Sequence, residues 1–325
     1  MRLLILGGNV YLSKATALHA MTRGHDVTVA SRGTSGEPPA GARFVAIDRS
    51  APDGMEALRG ERFDAVIDVA RIPLHVKNAL AVLDTGHYGF VSSLSVYRDD
   101  VAPDPADPGT LLDPTPDDHT AFGMEHYGAN KVACENQIRA AHPTSHANYR
   151  AGLIVGPGDP GDRFGYWPWR IAQGGEVLAP GDPNAPIQWI DVEDLAAWTL
   201  NAAENGTTGA YDGVAPAVTW LSFLTGIADT LGADVDFTWV GTEHLTAHDV
   251  KPWAGPGSLP FWLPPGHPEL MNRDATAAID AGMPTRPLAD TVARWHALHG
   301  GTAELKAGIT REKETAVLAA WHARG

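Results

Sequence analysis

The chain has 325 residues, 44% of them apolar, one cysteine and a formal net charge of −15 at pH 7. That length suits one large α/β domain or a core domain with a smaller partner. The lone Cys134 excludes an internal disulfide and a cysteine-rich metal site, and the acidic balance disfavours non-specific binding to nucleic acid or an anionic membrane.

No stretch reaches the roughly 18 apolar residues that a membrane span requires. "MRLLILGGN" is too briefly apolar for a signal peptide and reads as a buried strand, so a cytoplasmic protein is expected. Strand and helix signals then alternate, the pattern of a parallel sheet covered by helices. "RLLIL" leads into the glycine-rich turn "GGNVYLS" and a helix from about Leu12 to Arg23, which Gly24 ends. The runs "DVTVAS", "RFVAI", "DAVIDV" and "YGFVSS" follow as strands, with helical stretches near Gly54–Arg59 and His75–Leu83. The Asp- and Pro-rich segment Asp99–Asp118 is expected to be an irregular loop. A long helix over Gly123–Ala141 and a sixth strand, "HANYRAGLIV", complete the first half.

After Gly156 the texture changes to Gly, Pro and Trp. "IQWIDVEDLAAWTLNAAENG" reads as a short strand, then a helix begun by Asp191 as N-cap and ended near Gly206. Shorter elements follow from Trp220, with a Pro/Trp-rich loop over Lys251–His267 and a last amphipathic helix near Glu312–His322.

Three places carry chemistry. A strand running into a glycine turn and a helix lets the backbone approach a pyrophosphate, which the helix N-terminus then attracts. Here the first, fourth and seventh places of that turn hold Gly7, Val10 and Ser13. Ser13 adds only a hydroxymethyl group where helix meets strand. Val10 is expected to matter more, because its branched side chain narrows the approach and resists positive φ. The second strand ends in Ser31 and Arg32 with no acid. A carboxylate there would grip the ribose of NAD, whereas an arginine pairs with the extra phosphate of NADP, so NADP(H) is expected over NAD(H). The third place is "EHYGANK": Tyr127 and Lys131, four apart on a helix, share a face, and a nearby ammonium favours the phenolate. Ser93 ends the strand "FVSS" upstream, at the sheet edge where α/β folds bind ligands.

Together with "IDRS", "FVSSLSVY", "YGANK", "YRAGLIVGPGDPGDR" and "IQWIDVEDLAAW", these residues make the chain resemble an extended short-chain dehydrogenase/reductase of the NAD(P)-dependent epimerase/dehydratase family. The resemblance implies a doubly wound, Rossmann-type parallel sheet with a smaller C-terminal α/β substrate-binding region. The expected boundaries are 1–155 for the dinucleotide-binding part, with 186–206 returning to it, and 156–185 with 207–325 for the substrate region. It further implies catalytic roles for Ser93, Tyr127 and Lys131, with Lys131 also on the nicotinamide ribose. The cofactor would meet Gly7, Gly8, Val10, Tyr11, Leu12, Ser31, Arg32, Asp48 and Arg49. Asp162, Arg163, Tyr166 and Trp167 would line the substrate side. A homodimer through helices flanking the sheet is a further implication.

Three functions stay open on these residues. The first is an oxidoreductase, in the reductive direction, for a small carbonyl or hydroxyl compound. The second is a nucleotide-sugar epimerase with tightly bound NAD(P). The third is a non-catalytic RNA-binding or regulatory relative, against which the intact serine, tyrosine and lysine and the charge of −15 both argue. Leu94 and Ser95 after Ser93 disfavour dehydration, since dehydratases of the family commonly place acids there. No metal is expected. Pro143 separates His142 from His146, and His296 with His299 lies on an amphipathic helix without a carboxylate motif. The tryptophans read mostly as core, with Trp167, Trp169 and Trp189 placed near substrate by the resemblance.

Overall fold

The computed structural model describes residues 1–104, 106–263, 268–300 and 304–324, so residues 264–267 of the expected Pro/Trp-rich loop lie outside the described residues. The chain divides into two compact units.

The first unit comprises 1–152, 192–214 and 274–284. Its sheet has seven strands: β1 (Arg2–Leu6), β2 (Asp26–Ser31), β3 (Arg43–Ala46), β4 (Arg62–Asp68), β5 (Asp84–Ser93), β6 (His146–Ala151) and β7 (Gly209–Gly213). They pair in parallel in the order β7-β6-β5-β4-β1-β2-β3. Central strands of a parallel sheet are covered on both faces and read as unbroken apolar runs. "RLLIL" obeys this, with Leu3 to Leu6 fully buried. The strand order reverses between β1 and β4, which makes a crevice beyond their carboxyl ends, the general ligand position of such sheets.

The sheet is accompanied by the helices α1 (Tyr11–Thr22), α2 (Pro73–Leu80), α3 (Met124–Ala141) and α4 (Val192–Asn205), with the short helix Thr276–Asp280 against β7. Pro73 opens α2, where its missing N–H costs nothing. α3 stops two residues before Pro143, which could not continue it. α1 packs on α4 and α2 on α3.

The expected sixth strand, His146–Val155, is broken. Ala151 ends β6, and Ile154–Val155 belongs to the second unit. Gly152 sits at the break, where a side chain would meet Val214 Cγ1 at 2.4 Å. Residues 207–214 and 274–284, expected with the substrate region, fall in the first unit. β7 extends the sheet beside β6, and Trp198 Nε1 of α4 donates to the carbonyl of Ala281.

The second unit comprises 153–191, 215–273 and 285–325. Its longest strands, Gly175–Pro180 and Val235–Val240, pair in parallel, and helices Trp220–Leu231, Leu288–His299 and Arg311–His322 accompany them. Thr219 and Thr310 cap two of these helices by accepting backbone N–H bonds. The core is aromatic, built around Trp167, Trp220, Phe223, Phe261 and Trp295. Arg170 is fully buried there and pairs with Glu314 at 2.5 Å. Asp191, expected as a helix cap, directs its carboxylate to Thr291 Oγ1 and Arg294. Among the described residues no helix is long and apolar enough to cross a membrane.

Candidate active site

β5 delivers Ser93 to the carboxyl edge of the sheet. The chain then turns at once into a short 3-10 helix, Leu94–Val96, which Ser93 caps: its Oγ accepts from Ser95 N at 3.2 Å and donates to Ser95 Oγ at 3.1 Å. Helix α3 lies directly on this turn. A Cβ at Gly128, the neighbour of Tyr127, would stand 2.0 Å from the Ser95 carbonyl oxygen. Glycine at this position therefore lets the tyrosine helix touch the serine turn.

Lys131 follows one turn later and is 2% exposed. Its ammonium donates to the carbonyls of Ala70 and Val91, each at 2.6 Å, so it bridges the chain beyond β4 to β5. It stands 5.9 Å from the centre of the Tyr127 ring. An ammonium has three donors, and these two carbonyls take two of them. Tyr127 itself is half-buried. The structure thus brings Ser93, Tyr127 and Lys131 to one region of the first unit, as their spacing implied.

Two supports of this region escaped the sequence reading. Asn130, fully buried between Tyr127 and Lys131, accepts from Thr115 Oγ1 and donates to the carbonyls of Ala121 and Arg71. It ties the loop before α3 to the helix. Beneath the helix, Arg150 of β6 is 3% exposed and forks onto Glu135 of α3 at 2.8 and 3.1 Å. Arg150 also donates to the Tyr97 hydroxyl, which donates to Asp212 of β7. Burial, then the Asp212 charge, pushes the Tyr97 phenol far above its ordinary value. A single arginine so joins the helix bearing Tyr127 to the segment that continues the Ser93 turn. A Lys131-to-Glu135 spacing of one helical turn was the available signal. Cys134, on the same helix, is buried and its thiol is pushed up to about 12 by desolvation, which leaves it inert.

The glycine turn departs from expectation at Val10. Gly7 and Gly8 take φ of 123° and 84°, and a Cβ at Gly8 would lie 2.3 Å from Val29 Cγ1. Both glycines are required by the backbone and by the packing of the turn on the sheet. Val10, however, has φ of −137°, an extended conformation that suits a branched side chain. The left-handed residue is Tyr11, at φ of 49°. Ser13 is buried and satisfied, its Oγ donating to the Val10 carbonyl at 2.9 Å. Leu12 is buried in the same turn.

At the end of β2, Ser31 Oγ accepts from Gly33 N at 3.1 Å. Arg32 is exposed and, among the described residues, no ion pair holds it. Asp48 is exposed and accepts from Ser50 N. Arg49, expected to face the cofactor, spends one guanidinium nitrogen on both oxygens of Asp68 at 2.8 and 2.9 Å. Asp68 is fully buried at the end of β4 and also accepts from Tyr88 and from Ala70 N. Beside them, desolvation and then the Arg49 charge depress His75 to about 4.

The proposed substrate residues belong to the second unit and divide in two. Asp162 and Arg163 are partly exposed, with Arg163 bonded to Asp159. Tyr166 and Trp167, expected on the substrate side, are 1% and 0% exposed. Helix Tyr166–Ile171 turns both into the aromatic core, where Trp167 Nε1 donates to the Pro260 carbonyl. Trp189 is also buried, and Trp169 is partly buried against the same core.

A seven-stranded parallel sheet with its switch point beside a glycine turn defines a doubly wound, Rossmann-type α/β fold. Residues 71–213 match the model of the NAD dependent epimerase/dehydratase family. A comparison with curated proteins finds no match. Among solved structures, the chain is similar to UDP-N-acetylglucosamine 4-epimerase from Bacillus cereus at 15% identity and a TM-score of 0.64, covering 94% of this chain and 98% of that one. UDP-glucose 4-epimerase from Thermotoga maritima, solved with UDP-glucose, gives 17% identity and a TM-score of 0.63 over 92% and 99% of the two chains. The Thermus thermophilus UDP-glucose 4-epimerase complex with NAD gives 16%, 0.61, 91% and 99%. At these identities the likeness is one of fold.

Proposed function

We propose that the protein is an NAD(P)-dependent epimerase that oxidises and re-reduces one hydroxyl-bearing carbon of a nucleotide sugar. The observation that carries this is the seating of α3 on the turn that Ser93 caps, at Gly128, with the Lys131 ammonium 5.9 Å from the centre of the Tyr127 ring. When bound, the nicotinamide supplies hydride exchange with the substrate carbon. Ser93 Oγ holds the reacting oxygen, and Tyr127 takes the hydroxyl proton on oxidation and returns it on reduction. Lys131 is fixed by the two carbonyls and offers its remaining donor to the nicotinamide ribose while its charge favours the phenolate. Gly7, Gly8 and the N-terminus of α1 would cradle the pyrophosphate. The named relatives favour epimerisation over reduction of a free carbonyl, and no acid follows Ser93 to support dehydration.

Exposed Arg32 and the lack of an acid at the end of β2 support a preference for NADP(H). Arg32→Ala should lower NADPH affinity by about tenfold, the scale of one charge-assisted bond, and leave NADH unchanged. Calorimetric titration of both dinucleotides reads this, and an unchanged NADPH affinity would make Arg32 a mere surface charge. For the chemistry, Tyr127→Phe should fold normally yet slow turnover about 10²–10⁴-fold. The assay is proton NMR of UDP-glucose and UDP-N-acetylglucosamine incubated with the enzyme, watching for the 4-epimer. A mutant with more than half the wild-type rate would remove Tyr127 from the mechanism.

A further inference from the structure

Asn9 lies inside the glycine turn, and nothing in the sequence pattern gave it a role. It is 6% exposed. Its Nδ2 donates to the Gly36 carbonyl at 2.8 Å, while its Oδ1 is buried with no hydrogen-bond partner. The orientation of the amide follows from that contact, because the reverse would set two oxygens against each other. Gly36 belongs to the loop that follows Arg32, and a Cβ there would lie 3.1 Å from the Asn9 carbonyl oxygen, so loop and turn are in close contact. Gly33, Gly36 and Gly41 all have positive φ, at 74°, 150° and 94°, which gives this loop glycines at three of its bends.

A buried amide oxygen without a donor is costly, and in native proteins such an atom calls for an explanation. The explanation here is positional. β1 and β2 are parallel neighbours, and Gly7 N donates to Ala30 O, so the turn and the end of β2 share one corner. In dinucleotide-binding sheets an acid at the end of the second strand accepts the hydroxyls of the adenosine ribose. This chain has none, and Ser31 Oγ already accepts from Gly33 N.

We propose that Asn9 Oδ1 is the acceptor for an adenosine ribose hydroxyl, and that Asn9 Nδ2 holds the Arg32 loop against the turn that bears it. The assignment rests on the dinucleotide reading above. It makes Asn9 a binding residue supplied by the turn in place of the missing acid. The bond would satisfy an amide oxygen that is buried without a hydrogen-bond partner.

The test is calorimetric titration of NADH and of its 2′-deoxyadenosine and 3′-deoxyadenosine analogues into wild type and Asn9→Ala. Asn9→Ala should weaken NADH about 3–10-fold, the scale of one neutral hydrogen bond. One of the two deoxy analogues should bind wild type more weakly by the same factor and be insensitive to the substitution. The wild-type comparison stands even if the variant does not fold: equal binding of NADH and both analogues would overturn the assignment. Equal weakening of all three ligands by Asn9→Ala would also overturn it, leaving Asn9 as a loop anchor only. Absence of any dinucleotide binding by wild type at millimolar concentration would instead overturn the cofactor reading itself.

Discussion

Gly128→Ala reverses the usual sign of a helical substitution. In a solvated helix interior, replacing glycine by alanine stabilises by about 1 kcal/mol. Here the new Cβ would stand 2.0 Å from the Ser95 carbonyl oxygen and 2.7 Å from Leu112 Cδ1. Leu112 can rotate away, but the carbonyl belongs to the turn that Ser93 caps. Real Cβ contacts essentially never fall under 3.0 Å, so α3 and the turn must separate by about 1 Å. Overpacking of this kind costs about 1–3 kcal/mol, which outweighs the gain in propensity. A displacement of about 1 Å between groups that must act together costs about 10²-fold in rate. Urea denaturation with two-probe detection should show a net loss of stability, and NMR of the nucleotide-sugar substrate should show turnover reduced by about two orders of magnitude. A variant that is more stable than wild type, or that keeps its rate, would show that the seating of the helix on the serine turn is not what assembles the site.

Val10→Gly should not improve the cofactor turn, because Val10 already sits at φ of −137° and is only partly covered. The added chain entropy should destabilise by about 0.5–1 kcal/mol with NADPH affinity unchanged, and a tenfold gain in calorimetric affinity would refute this. His75 gives a pH signature. Its folded value of about 4 lies below the ordinary 6.5, so the unfolded chain binds more protons between those limits. Stability should therefore be unaffected above pH 6.5 and fall as the pH drops towards 4, by roughly 1–2 kcal/mol once solvent screening is allowed for. His75→Gln should flatten that slope in urea titrations at successive pH values, and an unaltered slope would assign it to other groups.

Most of the parallel sheet was legible because its strands are short apolar runs separated by helical stretches, the first leading directly into a glycine turn. "RLLIL" needed no tertiary context. That Tyr127 and Lys131 share a helix face was legible from their spacing of one turn, and the Ser93 turn beneath that helix came with the resemblance. What the sequence hid depended on contacts between distant segments. Val10 looked like the strained residue of the turn, yet the backbone passes the left-handed position on to Tyr11. Arg49 looked free for a ligand until Asp68, nineteen positions on, claimed it. Tyr166 and Trp167 stand in a loop-like, glycine-rich stretch, and only the fold reveals that a short helix turns them inward. The returning segment 274–284 carries no pattern of its own, and its place follows from packing beside β7 and α4.

The proposed function requires the glycine turn to be a working dinucleotide site. Native mass spectrometry of the wild-type protein, as purified and after incubation with millimolar NAD or NADP, measures this most directly. The expected result is a chain that carries one dinucleotide, retained through gentle desolvation and displaced by excess of the other form. A chain that stays bare under both conditions would contradict it.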